Sequence, residues 1–301
     1  MLTPHSPLFT GCATALVTPF RQDGCVDLES LNRMIQRQID SGIDALVLLG
    51  TTGEPSTLSM DEREMIIQTG INAASGQIPV IVGTGSNDTR KAIEYAKQAR
   101  SLGADGHLSV TPYYNKATQT GLYKHFSAIL DACDLPMILY HVPGRTGVNL
   151  SVQTVVSLSK HPHAAGIKEA SGSISYASEL IRATEERFPV YCGNDDAITP
   201  LMALGALGAV SVCSNIVPMQ TRSLTHACLQ GCYEEARNMQ LSLLPLIRLL
   251  FSQVNPIPAK AALSMMGLCC DVLRLPLTPM ESPQREELKE LLSGMHLLAA
   301  Q

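Results

Sequence analysis

The chain has 301 residues, 45% hydrophobic and 16% charged, with a net charge of -5. That is enough to bury the core of one large α/β domain or two ordinary ones. The mild acidity argues against a nucleic-acid groove, which needs clustered Lys and Arg. No run approaches the roughly 18 apolar residues of a membrane span. The start, MLTPHSPLFTG, lacks a basic segment ahead of an apolar stretch, so no secretory signal and a cytoplasmic location are expected.

In chain order, strand-like runs fall at Cys12–Thr18, Ala45–Leu49, Pro79–Val82, His107–Val110, Pro136–His141, Ala165–Lys168, Val190–Cys192 and Ala209–Cys213. Amphipathic stretches separate them. Leu28, Leu31, Ile35 and Ile39 share one helical face. Ser59-Met60-Asp61-Glu62 is a capping-box pattern. Ile93, Ala96, Ala99 and Leu102 line a helix that should stop at Gly103. Eight βα units predict an α/β fold, a closed (β/α)8 TIM barrel over residues 1–231. An open doubly wound sheet would want a GxGxxG after its first strand, and there is none. The GTG at 83–85 reads as a tight strand-to-helix turn. Past Gly231 the rhythm changes to helices at about 233–253, 257–268 and 283–296, with a kink expected at Pro245. Residues 232–301 are therefore expected to form a C-terminal helical appendage.

Nine cysteines, scattered from Cys12 to Cys270 without a CxxC pair, read as small buried hydrophobes in a reducing compartment. Neither Cys228 and Cys232 nor His161 and His163 have further ligands nearby in sequence, so no metal is expected.

Barrel chemistry sits at the C-terminal ends of the strands. Those ends carry Gly50-Thr51-Thr52-Gly53-Glu54, Thr111-Pro112-Tyr113-Tyr114-Asn115, Tyr140 followed by Pro143-Gly144-Arg145-Thr146-Gly147, Lys168, and Gly193-Asn194-Asp195-Asp196. Most of these have an ordinary reading as turns, caps or surface charge. Lys168, inside a run that otherwise reads as a buried strand, does not: a buried ammonium costs several kcal/mol unless paired or deprotonated. A desolvated amine favours its neutral form and can attack a ketone to give a Schiff base, acidifying the adjacent carbon. A tyrosine with hydroxyl neighbours can shuttle the proton. Thr hydroxyls and backbone N–H groups suit a carboxylate, and Arg145 could grip a second one. Glu169 should point to the opposite side of the strand and is left out of the set. The inventory fits an amine-dependent, aldol-type lyase of 2-oxo acids.

GTTGE at 50–54, TPYYNK at 111–116, YHVPGRTG at 140–147 and GIKEASG at 166–172 resemble the dihydrodipicolinate synthases, a branch of the pyruvate-dependent class I aldolase family that includes N-acetylneuraminate lyase. The resemblance spans essentially the whole chain. It implies a (β/α)8 barrel with a C-terminal helical domain, a homotetramer, and no cofactor beyond a covalent Schiff base. It implies condensation of pyruvate with L-aspartate 4-semialdehyde to 4-hydroxy-tetrahydrodipicolinate on the diaminopimelate route to lysine. Carried over by motif, Lys168 would bind pyruvate covalently. Tyr140, Thr51 and Tyr114 would form the proton relay, Tyr114 reaching in from a neighbouring subunit. Thr51 and Thr52 would hold the pyruvate carboxylate and Arg145 that of the semialdehyde, with the Gly193 and Val210 backbones lining the pocket. Arg145 and the tyrosine pair favour this branch over sugar-acid aldolases or dehydratases, which stay an alternative. A barrel that binds small molecules without turnover is a second.

One departure bears on regulation. Relatives inhibited by lysine use a Glu on the helix after the third strand and a His or Asn after GTTGE. The matching positions here are Lys91 and Met60, although Asn87 and Tyr113 remain. A second ammonium near 4 Å opposes the ligand by roughly 1–4 kcal/mol, depending on screening. His141, where many relatives have Asn, reads as packing.

Overall fold

The computed structural model describes residues 6–298. Eight strands, β1 (Gly11–Ala15), β2 (Ala45–Leu48), β3 (Val80–Gly83), β4 (Gly106–Val110), β5 (Met137–His141), β6 (Ala164–Glu169), β7 (Val190–Cys192) and β8 (Gly208–Ser211), pair in sequence order and close into a barrel. Every pairing is parallel, including β1 with β8. The expected α/β barrel is thus the observed one, and each of the eight strand-like runs holds a strand. The first run stops short of Thr18. Leu16 N–H still bonds the Val47 carbonyl at 3.0 Å, after which the chain leaves the sheet and Thr18 Oγ1 donates to the Gly53 carbonyl at 2.8 Å.

The strands are buried on both faces and alternate between two apolar populations. Ala13, Ala15, Ala45, Val47, Ile81, Leu108, Ile138, Tyr140, Tyr191 and Val210 fill the barrel, with Phe9 stacked on Tyr191 at 4.3 Å. Their neighbours face the surrounding helices, α1 (Leu28–Asp40), α2 (Met60–Ala74), α3 (Thr89–Leu102), α4 (Gln119–Ala132), the single turn α5 (Pro143–Thr146), α6 (Val152–Leu158), α7 (Ile174–Ala183), α8 (Ile198–Ala203) and α9 (Pro218–Leu229). Leu31 and Ile35 are buried on α1 as the spacing predicts, while Leu28 and Ile39 pack at its edge. Ser59 and Glu62 form the reciprocal capping box that opens α2, and Gly103, at φ 93°, ends α3 in the left-handed conformation.

After β8 and α9 come α10 (Tyr233–Leu250), α11 (Ile257–Met265) and α12 (Gln284–Gly294), with Pro245 inside α10. All nine cysteines are free, but they are not uniformly buried: Cys25 and Cys232 are exposed and Cys269 and Cys270 half-exposed. The seam between the last strand and the first is sewn by side chains. Thr14 Oγ1 meets Gln38 Oε1 at 2.7 Å and Ser214 Oγ at 2.8 Å. Asn215 donates to the Ala15 carbonyl at 2.8 Å and accepts from Val17 N–H at 3.2 Å, while Arg37 donates to the Asn215 carbonyl at 2.8 Å.

Two buried histidines make the fold sensitive to acid. His107, on the outer side of β4, has Nδ1 2.7 Å from Thr84 Oγ1, and burial pushes its pKa down to about 3. Burial likewise pushes His125, on α4, down to about 4. Both fold as neutral rings, so the unfolded chain takes up protons that the native one refuses. The stability this confers is complete above an unfolded pKa of about 6.5 and falls by about 2 kcal/mol per ring by pH 5. Urea unfolding from pH 7 to 5 should show that decline, and His107→Gln should make it shallower by one proton's worth.

Candidate active site

Tyr140 and Lys168 are cross-strand partners at the C-terminal ends of β5 and β6, directly opposite in the parallel ladder. Both point into the barrel, each is 6% exposed, and Lys168 Nζ stands 4.4 Å from the centroid of the Tyr140 ring. The lysine stem has room because Gly193, just past the end of β7, has no side chain. A Cβ at Gly193 would lie 3.0 Å from Lys168 Cε and 2.6 Å from Ala170 Cβ. Gly193 N–H is also used, donating to the Glu169 carbonyl at 2.7 Å. Val210 is buried in the same interior cluster as Tyr140.

Above this cluster a cleft of about 520 Å³ opens, walled by Thr51, Val110, Val142, Arg145, Thr146 and Asn255 among others. Lys168 and Tyr140 are not among its walls; the cleft reaches Val142, two residues past Tyr140. Thr51 and Thr52 start the 3-10 turn Thr51–Gly53 that follows β2. Thr51 is half-buried and faces the cleft, whereas Thr52 is buried and its Oγ1 accepts from Asn255 Nδ2 at 2.9 Å. Arg145, in the turn α5, is exposed at the cleft wall, with Nη2 3.4 Å from the Asn255 carbonyl. Tyr114 is likewise not among the cleft walls. It is 83% exposed at the tip of the loop after β4, with a left-handed φ of 75°.

The surroundings contain buried polar groups outside the expected catalytic set. Asp195 is fully buried, and its Oδ2 accepts from Val212 N–H at 3.0 Å and Cys213 N–H at 2.8 Å. Burial pushes its carboxyl up, opposed by hydrogen bonds from Ser211 and these amides and, more weakly, by the Lys168 charge. Behind the lysine, His141 Nδ1 lies 2.7 Å from Glu169 Oε2, with both side chains buried. His141 is therefore more than packing, and Glu169 faces away from the barrel interior as strand alternation requires. Ser171 N–H donates to the other Glu169 oxygen at 2.6 Å. Glu54, just after the threonine turn, forms a buried ion pair with Lys260 of α11. Farther along the cleft the Arg63 guanidinium lies 3.8 Å from the Tyr95 ring centroid, and burial pushes its pKa down to about 10. Lys91 Nζ lies 5.8 Å from the same ring.

An amine at the end of a barrel strand, against a phenol and near a cleft lined by hydroxyls and the guanidinium groups of Arg145 and Arg63, is the arrangement of the lysine-dependent barrel lyases. Comparison with known proteins narrows this. The model of the dihydrodipicolinate synthetase family matches residues 8–295. A 4-hydroxy-tetrahydrodipicolinate synthase from Pelobacter propionicus is 48% identical over 291 residues, covering 97% of this chain and 100% of that protein. The crystal structure of dihydrodipicolinate synthase from Aquifex aeolicus superposes with a TM-score of 0.95 at 40% identity, over 97% of this chain and 100% of that one. That of the chloride-inhibited enzyme from Acinetobacter baumannii complexed with pyruvate gives 0.94 at 44% identity, over 96% and 99%. The chain belongs to the dihydrodipicolinate synthetase family.

Proposed function

We propose that this chain condenses pyruvate with L-aspartate 4-semialdehyde to 4-hydroxy-tetrahydrodipicolinate, with pyruvate held as a Schiff base on Lys168. The observation that carries the reading is the buried Lys168 amine facing Tyr140 across adjacent strand ends at the barrel mouth. The amine attacks the pyruvate keto carbon, and loss of water leaves the iminium. Tyr140, relayed through Thr51 and the Tyr114 of a second copy, takes a proton from the methyl carbon to give the enamine. That carbon then attacks the semialdehyde aldehyde, whose oxygen picks up the proton as the C–C bond forms. The amino group of the semialdehyde finally displaces Lys168 from the former keto carbon, closing the ring and freeing the amine. One water leaves per turnover, and no redox cofactor enters the balance.

Thr51 and Thr52 hold the pyruvate carboxylate in this reading, Arg145 holds that of the semialdehyde, and the Gly193 and Val210 backbones shape the floor. The exposed, left-handed Tyr114 supports a homotetramer in which dimer partners complete each other's sites. No helix among the described residues is long and apolar enough to cross a membrane, in keeping with a cytoplasmic enzyme.

Borohydride reduction in the presence of pyruvate, followed by peptide mass spectrometry, should place an adduct on Lys168; an unmodified lysine refutes the mechanism. A coupled assay with aspartate semialdehyde set against sugar-acid substrates separates this branch from the aldolases of the same family, and turnover of a sugar acid alone would reassign the substrate.

Free L-lysine should inhibit weakly or not at all. Lys91 and Arg63 bring two cations to the arm of the cleft that also holds Asn87 and Tyr113, and Met60 supplies no ligand there. Half-inhibition by sub-millimolar lysine in steady-state assays would overturn this expectation.

A further inference from the structure

We infer that Asn255, in the loop between α10 and α11, is a positioning residue that fixes the direction in which the Thr52 hydroxyl presents its proton. The inference rests on the proposed function, in which Thr52 holds the pyruvate carboxylate. Asn255 comes from a part of the chain more than two hundred residues beyond the threonine turn, and no motif of the barrel mouth points to it.

Asn255 is 5% exposed and its Nδ2 donates to Thr52 Oγ1 at 2.9 Å. A threonine hydroxyl has one proton to give and lone pairs to receive. Receiving from the amide fills one lone pair and keeps the proton for another acceptor. A carboxylate accepts and never donates, so it is the partner that this polarity prepares. The Asn255 carbonyl meanwhile accepts from Arg145 Nη2 at 3.4 Å. One residue thus touches a donor for each of the two substrate carboxylates.

The loop that carries Asn255 is itself pinned to the threonine turn. Lys260, on the helix that follows, pairs with Glu54, and Arg274 N–H donates to the second Glu54 oxygen at 3.3 Å. The Asn255 amide therefore meets Thr52 from a fixed direction. Its Oδ1 is buried without a hydrogen-bond partner among the described residues, so the side chain's one polar contact is the bond it donates to Thr52. That contact is what an amide supplies here and an apolar residue of the same shape would not.

The test measures KM for pyruvate and kcat for Asn255→Leu, near-isosteric and uncharged, in the natural background and beside Thr52→Val. Loss of one ordering hydrogen bond should raise KM for pyruvate roughly fivefold to tenfold and leave kcat within about twofold. Beside Thr52→Val, which has no hydroxyl to orient, the same change should move KM by less than about twofold. Should Asn255→Leu fail to fold, Asn255→Ala is read by the same criterion. Equal KM rises in both backgrounds, or a fall in kcat or melting temperature with KM unmoved, overturn the inference. Borohydride trapping on Lys168 is run in parallel. Absence of an adduct in the unaltered protein refutes the parent mechanism. An adduct there, with an unshifted pyruvate dependence in the Asn255 variants, refutes only the positioning role.

Discussion

Lys168→Ala should lower the condensation rate by about 10⁴-fold or more and abolish borohydride trapping of pyruvate. In the proposed mechanism removing the amine removes the covalent path, and Thr51 and Tyr140 do not replace it, because hydroxyls do not form an iminium. Tyr140→Phe is the instructive contrast. It keeps the nucleophile and the ring against which Lys168 packs, at 4.4 Å from the amine to the ring centroid. That variant should still be trapped, while its turnover falls by about 10²–10³-fold for want of the proton carrier. Coupled turnover assays and peptide mass spectrometry on both variants check the pair. Trapping retained by Lys168→Ala would move the nucleophile elsewhere.

The second large effect concerns stability. Lys260→Met should destabilise the protein by about 3–5 kcal/mol, because it strands the Glu54 carboxylate in a buried site. Both side chains of the pair are essentially fully buried, and Lys260 Nζ also lies 4.2 Å from the Phe20 ring centroid. Burial pushes the Lys260 pKa down and the Glu54 carboxylate opposes it, so each ion depends on the other. The double variant Glu54→Gln with Lys260→Met removes both charges and should recover most of the loss, since a neutral pair of similar volume has no desolvation to offset. Urea unfolding of both variants beside the unaltered protein measures this. A single variant as stable as the double one would show that the pair is not the anchor described here.

Much of the molecule was legible because local pattern and tertiary structure agree. A strand buried on both faces reads as a short apolar run, and eight such runs separated by amphipathic helices leave few architectures. The residues of the barrel mouth were legible for a different reason: Lys168 is expensive where it stands, and Thr51, Tyr140 and Arg145 sit at strand ends where a barrel puts its chemistry. Asn255 was not legible. It lies in a segment with no strand rhythm, and its contact with Thr52 joins residues 203 positions apart. The His141–Glu169 pair was half legible. Alternation placed Glu169 outside the barrel, but only the cross-strand register of β5 and β6 brings His141 beside it. Single-sequence reading assigns a residue to a face; it does not say who meets it there.

The seam between β8 and β1 also orders events in time. Its side-chain bonds join residues about two hundred positions apart, Thr14 with Ser214 and Asn215 with Ala15 and Val17. A chain emerging from the ribosome N-terminus first makes β1 at the beginning and its partner β8 only about two hundred residues later. Through most of synthesis β1 offers an unpaired edge of exposed N–H and carbonyl groups. Closing so long a loop is entropically slow relative to forming the βα units already made. That edge stays open until β8 is made; the β8 backbone then pairs with it from Gly11 to Thr14, and the side chains of Ser214 and Asn215 secure the closed seam.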